Sequence, residues 1–130
     1  MFIIYKNVFT INFKDAQKDL IDPAVNGTNN ILEQANITTS VKRVVVTSSV
    51  AAIYCDSIDL EKTPDNIFTE EIWNTEASLV YQPYSFSKTL AEKKAWEIFK
   101  NQSRLQGGPC CKIGRGMLTV FYRGAIGGFC

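Results

Sequence analysis

Histidine is absent from the 130 residues of this chain. Within the chain, its absence excludes a Ser-His-Asp triad, a Cys-His catalytic pair and any zinc site that needs a histidine ligand. The four cysteines stand at positions 55, 110, 111 and 130, so they lack the Cys-x-x-Cys spacing of a metal knuckle or a redox pair. We therefore expect free thiols and no metal site.

Neither sign of charge is in excess, because 14 lysines and arginines face 13 acidic residues. This balance gives no electrostatic reason to expect a nucleic-acid or membrane partner. The apolar run Phe2–Tyr5 ends at Lys6, which makes it too short for the core of a signal peptide or for a membrane span. With 45% apolar residues, the composition is typical of a soluble globular domain, and we expect a cytoplasmic protein.

Two segments in the first half predict part of a parallel α/β unit. Residues 23–35 place apolar side chains along one stripe of a helix, and residues 41–47 form a short β-branched run typical of a strand buried on both faces. We predict a three-layer α/β fragment in which strand 41–47 is central and parallel to its neighbours. Val44 and Val46 should be among its most buried residues. Residues 1–13 and 117–122 are also β-prone.

A tyrosine and a lysine four residues apart mark the second half. Pro83 precedes a run of helix formers that continues to Lys100, so Tyr84 and Lys88 should share one face of a helix. A phenol is a poor acid at neutral pH unless a nearby cation stabilises its phenolate, and a phenol so tuned can give a proton to a carbonyl oxygen. The same spacing also fits a solvated lysine beside a half-buried tyrosine.

Hydroxyl side chains follow the predicted strand at Thr47, Ser48 and Ser49. The carboxyl ends of strands in open α/β sheets are where such proteins hold ligands. Serine and threonine are also common at the start of loops, so the three hydroxyls carry little weight alone.

The combination of segments resembles the extended short-chain dehydrogenase/reductase family. It consists of the strand with Thr47-Ser48-Ser49, a loop with Trp73, and Tyr84-x-x-x-Lys88 leading into residues 90–96. Within the family, the chain is most similar to the dihydroflavonol reductase and cinnamoyl-CoA reductase group, over roughly residues 15–102. This resemblance implies a partial Rossmann-like, doubly wound parallel sheet with flanking helices. Residues 1–102 would be the central part of that NAD(P)-binding domain, and residues 103–130 a tail without a match.

The resemblance also implies a role for each site residue. Tyr84 matches the general acid, and Lys88 matches the lysine that holds the nicotinamide ribose and makes the tyrosine more acidic. Ser49 matches the hydroxyl that positions the substrate carbonyl, with Ser48 as the alternative. The resemblance places four residues beside the cofactor: Thr47, Ser48, Tyr84 and Lys88. The cofactor is NADP by resemblance to this group, with NAD as the alternative. The substrate would be a small carbonyl compound, and helices 23–35 and 84–100 could pair two subunits.

One hallmark of the family is missing. Such reductases bind the pyrophosphate with a Thr-Gly-x-x-Gly-x-x-Gly turn after their first strand, and this sequence contains no such turn. The glycines of residues 123–130 match the pattern of this turn only in part, with Cys130 in place of a third glycine. Two functions therefore stay open: an NAD(P)-dependent oxidoreductase that reduces an aldehyde or ketone, and a truncated, catalytically inactive fragment.

Overall fold

The computed structural model describes residues 2–6, 12–41, 43–69, 71–101 and 119–121. Three strands and two long helices make up this part of the chain: β1 (Phe2–Lys6), α1 (Asp22–Ile37), β2 (Arg43–Thr47), α2 (Pro83–Asn101) and β3 (Thr119–Phe121). Between β2 and α2 the chain forms short 3-10 turns at Val50–Ala52, Ser57–Lys62 and Pro64–Asn66. Neither α1 nor α2 is long and apolar enough to cross a membrane.

A π-helical turn, Gln17–Ile21, leads directly into α1. Its hydrogen bonds reach one residue further than those of an α-helix, as in the bond from the Asp22 N–H to the Gln17 carbonyl. Pro23 explains the wider turn, because proline has no N–H to donate and its ring crowds the carbonyl of Asp19, four residues earlier. Because the wider turn makes room for Pro23, the backbone stays helical on both sides of it.

Both long helices pack on the face of β2 that carries Val44 and Val46. Alternate residues of a strand point to the same face, and these two valines share one core cluster with side chains from both helices. The cluster contains Leu32, Ala35, Val41, Val44, Val46 and Ala95, with Ile98 and Phe99 packed against it. Val44 is 0% exposed and Val46 is 7% exposed, which confirms the prediction that both are buried.

The position of β2 in the sheet is as predicted, but the direction of one neighbour is not. Among the described strands, β2 lies between β1 and β3, and β1 pairs with it in parallel. β3 is antiparallel to β2, with Thr119 opposite Thr47, so the prediction of parallel neighbours is wrong on that side. The pattern of a short apolar strand does not encode its direction, because parallel and antiparallel ladders use the same backbone groups.

The predicted third layer is not present among the described residues. Both α1 and α2 contribute to the core cluster on a single face of β2, so the described elements form one layer of helix on one layer of sheet. Helical periodicity shows which side of a helix is apolar, but not which face of the sheet that side covers. Of the predicted tail 103–130, only β3 is described, and the glycines of residues 123–130 lie outside the described residues.

Candidate active site

Four side chains recur at every fourth position of α2: Tyr84, Lys88, Glu92 and Trp96. A step of four residues overshoots one helical turn by about 40°, so the four form a slowly winding stripe along one side of the helix. Lys88 is 8% exposed and Glu92 is 4% exposed, whereas Tyr84 and Trp96 are half-buried. Lysine and glutamate are rarely buried unless they have partners. Their burial makes this stripe a candidate functional site.

The first pair of the stripe has the geometry that the sequence predicts. The Lys88 Nζ lies 5.3 Å from the centre of the Tyr84 ring, within the range of a cation–π contact. The neighbouring hydroxyls bond to the helix itself, as Ser87 Oγ donates to the Tyr84 carbonyl at 2.6 Å and Thr89 Oγ1 to the Ser85 carbonyl at 3.0 Å. Tyr84 and Lys88 therefore share a face on a rigid element.

The carboxyl end of β2 meets this stripe at Glu92. Ser48 Oγ donates a hydrogen bond of 2.5 Å to Glu92 Oε2, and Trp96 Nε1 donates one of 3.3 Å to Glu92 Oε1. A small cavity lies at the junction, lined by residues of α1, of α2 and of β2 with the residue that follows it: Thr28, Val46, Thr47, Ser48, Lys88, Ala91 and Glu92. The structure thus brings Thr47, Ser48 and Lys88 together around one cavity.

Ser49 lies beyond this cavity, at the start of the next turn. Its Oγ accepts a hydrogen bond of 3.2 Å from the Ala51 N–H and so caps the turn Val50–Ala52. This bond uses an acceptor site of the hydroxyl and leaves its proton for donation, whereas the proton of Ser48 is donated to Glu92. The two adjacent serines therefore differ in what they can offer a ligand.

Asn74 holds the loop before α2 against the turn that Ser49 caps. Its side chain donates to the Ala51 carbonyl at 2.8 Å, and its backbone N–H donates to the Ala52 carbonyl at 2.9 Å. Its Oδ1 accepts two backbone N–H groups of its own loop, at 3.0 and 3.1 Å. Asn74 is 5% exposed, and its hydrogen bonds determine where this turn lies relative to the loop.

Cys55 lies beside the same junction, where the Asn74 amide donates to its Sγ at 3.2 Å. Burial raises the pKa of the Cys55 thiol, and the hydrogen bond with Asn74 opposes this rise. The prediction of a free thiol is confirmed for Cys55, while Cys110, Cys111 and Cys130 lie outside the described residues.

Aromatic side chains attach the rest of the loop to its surroundings. Trp73 is half-buried, and Lys93 on α2 holds its Nζ 5.2 Å from the centre of the indole. Tyr81 donates its hydroxyl proton to the carboxylate of Asp56, and this hydrogen bond is the main cause of a raised pKa of Tyr81. The loop is thus tied both to α2 and to the turns after β2.

Sequence reasoning missed Glu92, Trp96 and Asn74. The first two had a usable signal, because they continue the spacing of four that begins at Tyr84 and Lys88. Asn74 had none, since it stands in a loop without periodicity and its partners lie about 20 residues earlier in the chain.

Known proteins match this chain over most of its length. The family model described as "Male sterility protein" (NAD_binding_4) matches residues 1–106. Cinnamoyl-CoA reductase CAD2 of Medicago truncatula is 41% identical over 98 residues, which are 73% of this chain and 29% of that protein. The NADPH-dependent methylglyoxal reductase GRE2 of Saccharomyces cerevisiae is 41% identical over 101 residues, which are 71% of this chain and 28% of that protein.

A solved structure agrees with these matches. The crystal structure of Gre2 from Candida albicans superposes with a TM-score of 0.65 at 35% identity, covering 81% of this chain and 32% of the other. The described elements thus form part of a Rossmann-like α/β fold, and the chain belongs to the extended short-chain dehydrogenase/reductase family. It spans about three-tenths of the length of the curated relatives that it matches.

Proposed function

We propose that this chain carries the nicotinamide side of an NADPH-dependent carbonyl reductase site. The observation that supports this most directly is that Lys88, whose Nζ lies over the Tyr84 ring, lines one cavity with Thr47 and Ser48 at the end of β2. The relatives point to the same chemistry, since GRE2 is named an NADPH-dependent methylglyoxal reductase and its structure has been solved with NADPH.

The residue types at this place suit the ribose of a nicotinamide nucleotide. A ribose presents hydroxyl groups, and the Lys88 ammonium and the hydroxyls of Thr47 and Ser48 are groups that bond to hydroxyls. They stand at the carboxyl end of a parallel strand, where α/β proteins of this kind bind their cofactors. In this proposal Lys88 holds the ribose, with Thr47 and Ser48 beside it.

Bound NADPH would supply the hydride, and the chain's own side chains would handle the proton. The Tyr84 hydroxyl gives its proton to the carbonyl oxygen of the substrate, which becomes an alcohol. The Lys88 ammonium lies over the Tyr84 ring and favours the phenolate that this transfer leaves behind. The substrate class is a small aldehyde or ketone.

Between the two serines, we assign the substrate contact to Ser49. A hydroxyl that positions a carbonyl must donate to its oxygen, and Ser48 already donates its proton to Glu92. Ser49 accepts from Ala51, so its proton remains for the carbonyl. Ser48 then has a structural role at the cofactor side.

A chimera tests the proposal without presupposing the rest of the enzyme. Residues 1–102 would replace the matching segment of S. cerevisiae GRE2, and the purified chimera would be assayed for methylglyoxal-dependent oxidation of NADPH. We expect saturable turnover that is lost when Tyr84 is replaced by phenylalanine. A chimera that melts cooperatively and binds NADPH, yet shows no turnover, would contradict the proposed function.

A further inference from the structure

Glu92 is the most buried acidic side chain among the described residues, at 4% exposure. Placing a carboxylate in the interior is costly unless hydrogen bonds replace the water it loses. Ser48 Oγ donates such a bond to one oxygen of Glu92, and Trp96 Nε1 donates one to the other. A carboxylate kept at this cost, where an apolar side chain could pack instead, calls for a role beyond stability.

The bond from Ser48 connects the two elements that carry the proposed catalytic groups, whereas the bond from Trp96 lies within α2. Ser48 precedes Ser49 at the end of β2, and Glu92 follows Lys88 by one turn of α2. The Ser48–Glu92 bond joins residues that are 44 positions apart in the sequence. It therefore fixes where the end of β2 lies along the length of α2. The bond from Trp96, one turn further along, restricts the orientation of the carboxylate.

The same bond decides what Ser48 can do. A serine hydroxyl has one proton, and Ser48 gives it to Glu92. Without Glu92, the Ser48 proton would be available to another acceptor, including a ligand in the cavity that Ser48 lines. With Glu92 in place, Ser49 is the one of the two serines that has a proton to give.

We propose that Glu92 is a positioning residue of the reductase site, which rests on the function proposed above. It fixes the position of the end of β2 relative to α2. It also accepts the hydrogen bond from Ser48, so that Ser48 does not donate to the substrate. It touches neither substrate nor cofactor in this role. Its effect reaches the reaction through Ser48 and through the position of Tyr84 relative to Ser49.

The link itself can be tested in the 130-residue chain by a double-mutant cycle on unfolding. Ser48→Ala and Glu92→Ala each remove one partner of the bond, so the double variant should unfold at about the same denaturant concentration as Glu92→Ala alone. Glu92→Gln preserves the side-chain length and serves if the alanine variant does not fold. Glu97→Gln is the matched control, since Glu97 is exposed on the same helix and pairs with Lys94. Additive shifts would show that no link exists and would overturn the inference.

The catalytic consequence is read in the chimera with GRE2. We expect Glu92→Gln to lower kcat by roughly tenfold to a hundredfold, as small misplacements of reacting groups do, and to leave KM for methylglyoxal within about twofold. Ser48→Ala should lower kcat to a similar degree, and the double variant should lower it no further. The control Glu97→Gln should retain the activity of the parent chimera.

The outcomes separate this inference from the function on which it rests. Coupled unfolding together with a shared loss of kcat supports the positioning role. The chimera can be active while Glu92→Gln leaves kcat unchanged, or lowers it only in proportion to the fraction of unfolded protein. Either result assigns Glu92 to stability alone and overturns the inference. A folded chimera that is inactive without any substitution overturns the proposed function and, with it, the catalytic part of the inference.

Discussion

Lys88 and Tyr84 face each other across one turn of α2, with the lysine Nζ 5.3 Å from the centre of the tyrosine ring. Both side chains leave the same rigid helix, so their separation does not depend on any loop. The position of Ser49 is different, because Ser49 caps a turn that Asn74 holds from a distant loop. Of the proposed Ser-Tyr-Lys site, Tyr84 and Lys88 are therefore positioned by one helix, whereas Ser49 is positioned by tertiary contacts.

Replacing Tyr84 by phenylalanine removes only the hydroxyl and keeps the ring beside Lys88. In the chimera we expect kcat to fall by about two to four orders of magnitude, the usual effect of losing a general acid. Tyr81→Phe is the control, since Tyr81 is an exposed tyrosine whose hydroxyl bonds to Asp56. Activity within about tenfold of the parent in Tyr84→Phe would be too high for a general acid.

Replacing Lys88 by alanine should affect binding as well as chemistry. The ammonium is proposed both to hold the ribose and to stabilise the phenolate, so the chimera should bind NADPH more weakly and turn over more slowly. Nicotinamide fluorescence measures the Kd, and steady-state kinetics measures kcat. Lys94→Ala, on the same helix and paired with Glu97, should change neither quantity. An unchanged Kd in Lys88→Ala would remove the ribose contact from the proposal.

Replacing Asn74 by alanine should destabilise the chain by about 2 kcal/mol, because buried backbone groups of its own loop and the Ala51 carbonyl lose their partner. Chemical denaturation of the 130-residue chain gives the free energy of unfolding. Asn30→Ala, on the exposed side of α1, is the matched control and should change stability little. Equal effects of the two substitutions would mean that Asn74 does not anchor the loop.

Asp59 should make stability depend on acid pH. The N–H groups of Asp56 and Cys55 donate to its Oδ2 at 3.0 and 3.1 Å and hold its pKa below the ordinary value of 3.8. Because the folded pKa is the lower one, this stabilisation is complete above pH 3.8 and is lost as the pH falls through the folded pKa.

We therefore expect Asp59→Asn to lower the denaturation midpoint at neutral pH and to show a shrinking difference from the parent below about pH 4. Glu61→Gln, an exposed neighbour in the same turn, serves as the control. A difference between Asp59→Asn and the parent that stays constant down to about pH 2 would show that the ionised carboxylate is not what stabilises the turn.

The 130 residues by themselves should bind NADPH weakly. Cofactor affinity in this fold depends largely on a glycine-rich turn and a helix N-terminus that hold the pyrophosphate, and the sequence contains no Thr-Gly-x-x-Gly-x-x-Gly turn. A titration that follows nicotinamide fluorescence should show no saturation at micromolar NADPH, with full-length yeast Gre2 as the positive control. Saturable micromolar binding would contradict this expectation and would direct attention to the glycines of residues 123–130.

Local patterns predicted much of the fold. The helix that carries Tyr84 and Lys88 is found within a few residues of its predicted limits, and residues 41–47 contain the central strand. The pairing of Tyr84 with Lys88 followed from helical spacing alone, because residues four apart on a helix are neighbours whatever surrounds it. The family resemblance rested on these same segments.

By itself, the sequence determined the helix with its Tyr84–Lys88 pair, the buried strand that ends at Thr47, and the exclusion of histidine-based chemistry within the chain. Only the tertiary structure decided that β3 runs antiparallel, that both helices cover one face of β2, and that Glu92 takes the proton of Ser48. The physical reason is range: helical and strand periods act over a few residues, whereas the Ser48–Glu92 bond joins groups 44 residues apart whose meeting depends on how whole elements pack.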